Sequence, residues 1–198
     1  MKRTAVTFAV LIAGGCASAG LDSIKTSPTR ESSPVVASSF ASPIGSVPVV
    51  TQEKDRKDDW YNAQDFGEND HLGEDWKKNT GGNTDCGEPV FAAGDGIITI
   101  AKHAGNGWGN VIIVEHVLRD GSKVQTLYGH LNKILVKEGS VKKREKIGTV
   151  GNADGKYLCH LHFEIRDDSC LMWDRVFIGY SPVRKGWLDP SDFIEKRR

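Results

Sequence analysis

The sequence predicts an all-β fold: antiparallel sheets in a barrel-like sandwich with an open groove, preceded by a disordered N-terminal tether. Three observations carry this expectation. After residue 66, short apolar runs alternate with glycines, the pattern of brief strands between turns. No stretch before the C-terminus keeps a helical apolar period for three turns. Asp120-Gly121 stands between two β-rich runs, a strong hairpin signal.

The chain of 198 residues suits one domain with an appendage. Its 26 basic and 26 acidic residues balance, so no net charge draws it to nucleic acid. Residues 1–19 read as an export signal. Lys2 and Arg3 supply the basic start and residues 4–13 an apolar run too short to span a membrane as a mature helix. Ala13-Gly14-Gly15-Cys16 is similar to a lipobox, with Ala13 where Leu is usual. It predicts a lipidated Cys16 that holds the protein to a membrane, the outer membrane facing the periplasm being expected. Cleavage after Ala17-Ser18-Ala19, giving a periplasmic or secreted protein, is the alternative. Residues 20–57 are rich in Ser and Pro and poor in large apolar groups, which predicts a solvated linker. Order is expected to begin near Trp60-Tyr61, within a domain of residues 58–198.

Within that domain, residues 88–93 and 97–103 read as strands around Gly94-Asp95-Gly96. Val111-Ile112-Ile113-Val114 has the continuous apolar character of a strand buried on both faces. The hairpin leads into residues 123–130, and residues 131–151 form further strand and turn. The Gly105-Asn106-Gly107-Trp108-Gly109 loop lacks the following helix that a phosphate site needs, and reads instead as a hairpin loop at the rim of a site.

Chemistry concentrates in Cys159-His160-Leu161-His162-Phe163-Glu164-Ile165-Arg166. At a period of two, His160, His162 and Glu164 share one strand face and Leu161, Phe163 and Ile165 the other. Paired imidazoles backed by an apolar row point to metal binding or acid–base work. His71 and Asp75 stand four apart around Gly73, in a stretch that reads as a loop, and His130 closes Tyr128-Gly129-His130-Leu131. His71, Asp75 and His162 together form a donor set suited to Zn²⁺, with a fourth position for water.

These motifs resemble those of the lysostaphin-type, or LytM-like, zinc endopeptidases. The family's H-x-G-x-D, Y-x-H-L and H-L-H-F-E stand here as His71-Leu72-Gly73-Glu74-Asp75, Tyr128-Gly129-His130-Leu131 and His160-Leu161-His162-Phe163-Glu164. Residues 89–96, residues 139–148 and Trp187-Leu188-Asp189-Pro190 are similar to its spacer and closing signatures. The resemblance covers residues 60–195. It implies one Zn²⁺ on His71, Asp75 and His162, catalytic roles for His130 and His160, and a peptidoglycan stem or cross-link peptide as substrate. The strand pattern alone does not choose between His160 and His162 as the ligand. In the implied mechanism, His130 and His160 stabilise an oxyanion or relay a proton.

A non-catalytic wall-binding regulator or amidase activator on the same fold is the alternative function, and a zinc-stabilised binding barrel a third. Glu164 reads as an outer-shell partner for a ligand imidazole or as a solvated strand carboxylate. Glu74 has little claim as a general base without H-E-x-x-H, and His103 and His116 match no motif. With Cys16 lipidated, three cysteines remain. Cys159 with Cys170 is the expected disulfide and Cys86 with Cys159 the other option. Two departures from the family stand out: a lengthened loop at residues 79–87 and an insert at residues 167–180 with Trp173 and Phe177, each expected either to line the substrate groove and set specificity or to decorate its edge.

Overall fold

The computed structural model describes residues 35–45, 59–105, 107–170 and 178–198. The expected leader, the Cys16 site, most of the linker, and Trp173 and Phe177 lie outside the described residues. Among those described, no helix is long and apolar enough to cross a membrane.

The expected β fold is present. The strands are β1 (Trp60–Gln64), β2 (Glu74–Lys78), β3 (Pro89–Phe91), β4 (Gly96–His103), β5 (Asn110–Val117), β6 (Lys123–Leu131), β7 (Lys133–Ile134), β8 (Gly139–Val141), β9 (Lys146–Thr149), β10 (Leu161–Asp167) and β11 (Trp187–Leu188). One short helix, α1 (Pro190–Glu195), closes the chain, with Pro190 in its first turn and Asp189 capping the Asp192 amide at 3.0 Å. The main sheet runs β1-β2-β10-β6-β5-β4-β8, with β11 also on β10; β3-β9-β7 forms a second sheet. Every strand ladder is antiparallel, and the sheets do not close into a barrel.

The core follows from alternation. Leu161, Phe163 and Ile165 of β10 pack with Trp76, Tyr128, Ile112, Val90 and Ile147. On β5, Ile112 and Val114 join that core, while Val111 and Ile113 pack with Trp108 and Leu127 in a smaller cluster. The strand is therefore buried on both faces, as its unbroken apolar run requires. Glycine at 121, with φ of 84°, turns the chain between β5 and β6 where the hairpin was expected.

Two expectations need correction. Residues 35–45 are not tether: Val36 bridges Val117, Phe40 and Ile44 are buried, and Arg144 donates to the carbonyls of Ser42 and Gly45. Phe40 sits edge-on between His116 and Phe193. The segment is too poor in apolar groups to fold alone, but its two large side chains complete a core built by others. The disulfide joins Cys159 to Cys86, not to Cys170. The turn at residues 79–88 carries Cys86 back to the bend just before the histidine pair, whereas Cys170 lies beyond the far end of β10, against Gly186.

Candidate metal centre and groove

β10 lies between β2 and β6, and this register assembles the site. His162 stands opposite Asp75 of β2 and opposite Gly129 of β6, the neighbour of His130. His71 arrives from the turn after the Glu68–Asp70 helical turn. Gly73 is required between His71 and Asp75, since a Cβ there would lie 2.5 Å from the Phe163 carbonyl oxygen and 2.8 Å from Glu164 Cγ.

The donor atoms of His71, Asp75 and His162 all lie within 4.8 Å of one another. His71 Nε2 is 3.0 Å from His162 Nδ1 and 3.4 Å from Asp75 Oδ1, and Asp75 Oδ1 is 3.0 Å from His162 Nδ1. On the other edge of the His162 ring, Nε2 meets Glu164 Oε1 at 2.9 Å. Glu164 accepts further bonds on Oε2 from Arg166 and from Trp187 Nε1. Burial alone would raise the Glu164 pKa, but the Arg166 charge and the His162 hydrogen bond hold it near 2. An ionised Glu164 only accepts, so His162 Nε2 carries its proton and Nδ1 presents a lone pair inward.

That leaves three electron-pair donors converging in a buried space, an arrangement that calls for positive charge at their centre. The protonation energetics agree. Burial opposes charge on His162, yet Asp75 and Glu164 raise its pKa to about 9, so where no cation sits a proton on Nδ1 supplies the positive charge, and a metal ion would take that proton's place. Burial likewise opposes ionisation of Asp75, but hydrogen bonds from His162 and His71 bring its pKa well below the ordinary value. Two nitrogens and a carboxylate fit a zinc-type cation with coordination left open.

His130 and His160 stand beside this cluster. Their rings are 4.7 Å apart, and His130 is 5.4 Å from His162. His160 Nε2 lies 3.5 Å from Asp75 Oδ2. His130 has φ of 60°, a left-handed backbone uncommon outside glycine, at the point where β6 enters the groove. Burial, then the charges of His162 and His160, push its pKa down to about 3; burial also lowers His160. Both rings are thus neutral near pH 7. Each meets a backbone carbonyl through Nδ1, His130 at Trp108 (3.3 Å) and His160 at Leu158 (2.8 Å). A carbonyl cannot donate, so Nδ1 bears the proton and Nε2 of each ring is an unprotonated acceptor.

The histidines open into a groove of about 470 Å³, walled by Trp108, Tyr157, Ile178 and Tyr180 with Gln64 at one side. Tyr180 packs against His71 at 5.0 Å and donates to Gln64 Oε1 at 2.8 Å. The 105–109 loop does reach the rim, through Gly107 and Trp108. The insert lines the groove through Ile178 and Tyr180, whereas Tyr157 and Gln64 are walls that the sequence did not single out. Tyr157 stands just before the histidine strand, and that adjacency says nothing of which way a side chain points.

Residues 70–172 match the model of Peptidase family M23. The chain belongs to peptidase family M23. This M23 chain is 40% identical over 80 residues to the DD-carboxypeptidase/endopeptidase Mpg of Neisseria meningitidis serogroup B, a stretch covering 40% of this chain and 17% of that protein. It is 42% identical over 84 residues to the peptidoglycan DD-endopeptidase ShyB of Vibrio cholerae, covering 41% of this chain and 18% of the relative. The aligned region therefore spans less than a fifth of either relative. Among solved structures, the SpoIIQ-SpoIIIAH pore forming complex contains a chain similar in fold, with a TM-score of 0.55 and 22% identity over 81% of this chain and 93% of that one.

The remaining polar candidates of the M23 domain fall outside the groove. Glu74 points to the opposite face, where it accepts from Trp76 Nε1 (3.1 Å) and the Ser191 amide (3.2 Å); burial raises its pKa to about 8. It has no path to serve as base. Glu164 is fully buried, which removes the solvated-carboxylate reading. His103 pairs with Asp154 on the surface, and His116 is buried between the Asp95 carbonyl and Thr126 Oγ1.

Proposed function

We propose that this protein is a zinc-dependent endopeptidase that hydrolyses stem or cross-link peptides of bacterial peptidoglycan. The observation that carries the reading is the convergence of His71, Asp75 and His162 beside two acceptor imidazoles in an open groove. Zinc bound there would supply Lewis acidity, polarising an amide carbonyl and bringing a water molecule's pKa toward neutrality. His71 Nε2, Asp75 Oδ1 and His162 Nδ1 would hold it, with Glu164 fixing the His162 tautomer.

The chain's own groups then divide the proton work. With Nε2 unprotonated, His130 and His160 act first as acceptors for a proton of the attacking water. Whichever ring takes that proton becomes a donor from the same atom, able to bond the tetrahedral oxyanion or protonate the departing amine. Trp108 and Leu158 keep each ring in register through Nδ1. The aromatic walls position the peptide and restrict water. Lipidation of Cys16 would tether the enzyme to the outer membrane, consistent with a wall substrate. The presence of all five expected side chains in one cluster favours this reading over the regulator, which needs no acceptor imidazoles.

The test is digestion of purified sacculi by the full protein, with chelator and with zinc restored, followed by mass spectrometry of the fragments. Released peptides that vanish with chelator are expected. Asp75→Ala should lose zinc and hydrolysis together. His130→Ala should keep zinc and lose about 10²-fold or more in turnover. Absence of cleavage by zinc-loaded protein would sink the assignment, and a zinc-free His130→Ala protein would overturn the division of roles.

A further inference from the structure

The residue just before His160 is gripped by a loop that supplies none of the donor atoms of the metal centre. Residues 79–88 connect β2 to β3 and reach across to Cys159. Asn83 Oδ1 accepts from the Cys159 amide at 2.8 Å, Cys86 is bonded to its sulfur, and Lys77 Nζ donates to its carbonyl. Lys77 is held in turn by the Gly82 carbonyl at 3.2 Å and by Asp85 Oδ2 at 3.5 Å. Asp85 is only 1% exposed, and a carboxylate is buried at such cost only when paired.

The strand register explains the reach. His162 faces Asp75 and Leu161 faces Trp76, where the ladder ends, so Lys77 and His160 are the next residues along the two chains, and Lys77 reaches the Cys159 carbonyl. Asp75 and Lys77 share a face of β2. The peptide joining Cys159 to His160 is thus held at both ends: its carbonyl by Lys77, and its N–H by the Gly151 carbonyl at 3.1 Å. The His160 ring has a further anchor in the Leu158 carbonyl.

We propose that Lys77, fixed by Asp85 and backed by the Cys86–Cys159 disulfide, is a positioning residue that sets the orientation of His160. The inference rests on the catalytic reading of His160. It assigns the lengthened 79–88 loop a purpose: a clamp on the peptide plane that aims the imidazole at the groove.

The test uses the full protein with Lys77→Met, Lys77→Arg and Asn83→Ala. Zinc content, kcat and KM are measured on a soluble cross-linked wall peptide, and amide hydrogen exchange at His160. Lys77→Met should lower kcat about tenfold to a hundredfold, as small misplacements of a catalytic group do. Zinc content and KM should stay within twofold, and Lys77→Arg should recover most of the loss. The His160 amide should exchange faster in Lys77→Met, whatever the turnover. Unchanged exchange, or a kcat loss that merely follows lost zinc, overturns the clamp. If Lys77→Met does not fold, Asn83→Ala on the exposed loop decides: faster His160 exchange supports the clamp and wild-type exchange refutes it. His160→Ala with wild-type turnover would instead sink the catalytic reading, while a dead His160→Ala beside a fully active Lys77→Met sinks only the clamp.

Discussion

Replacing Glu164 by Gln tests whether the outer shell holds the site together. Glu164 is fully buried and serves several donors with two oxygens: His162 Nε2 on one, Arg166 and Trp187 Nε1 on the other. A carboxamide keeps the volume but offers one acceptor oxygen, so its NH₂ must face either the His162 N–H or the Arg166–Trp187 side, donor against donor. The Arg166 guanidinium, 2% exposed, loses the Glu164 charge that it pairs with. Breaking a buried pair from one side costs about 3–5 kcal/mol. At roughly 2–4 °C per kcal/mol for a domain of this size, Tm should fall by about 10 °C. Loss of an outer-shell partner weakens metal affinity about 10–100-fold, or about 1.4–2.7 kcal/mol. His71 offers no relief, because its Nδ1 is buried with no hydrogen-bond partner among the described residues. The measurements are a thermal melt without zinc and a zinc titration against a chelating dye. Glu164→Gln protein with parental zinc affinity and parental Tm would refute the argument that this carboxylate orients His162.

Three more outcomes follow from the packing. Gly73→Ala forces a Cβ onto the Phe163 carbonyl, so it should cost roughly 1–3 kcal/mol and weaken zinc binding; an unchanged melt and titration would show that the strands can part freely. Cys86→Ser with Cys159→Ser opens a closed loop with a sequence separation of 73, which should lower unfolding free energy by about 4 kcal/mol in denaturant titrations; a midpoint equal to the parent contradicts this. His116 is held neutral by burial, its pKa down to about 4 from 6.5. Between those values the unfolded chain takes up a proton that the folded state refuses, so stability falls as pH drops through this window, by about 3 kcal/mol in all. His116→Gln should flatten that part of the Tm–pH curve, and an unaltered slope would exclude His116 as its source.

Much of this architecture was legible because it depends on local pattern. Alternation in residues 160–165 separates histidines from core side chains in any strand, and four consecutive apolar residues at 111–114 admit little but burial on both faces. Residues 35–45 were misread for the converse reason. Composition reports whether a segment can bury itself, and Phe40 and Ile44 are too few for that. They are ordered because His116, Phe193 and Ala93 already offer a surface. The disulfide was misjudged in the same way, since proximity along the chain favoured Cys170 while the fold returns Cys86 to Cys159.

The sequence alone determined the β architecture, singled out the five polar side chains that the fold brings together, and marked the family, because residue type and short-range period are written into it directly. Tertiary structure decided the rest. It set which nitrogen of each imidazole faces the centre, that Glu164 is a buried partner rather than a wetted carboxylate, which aromatic residues wall the groove, and that Lys77 meets Cys159. These depend on strand register and on a side chain's surroundings, in the Lys77–Cys159 and His71–His162 contacts across more than 80 residues of chain, and no local pattern encodes a distance between residues that only the fold makes neighbours.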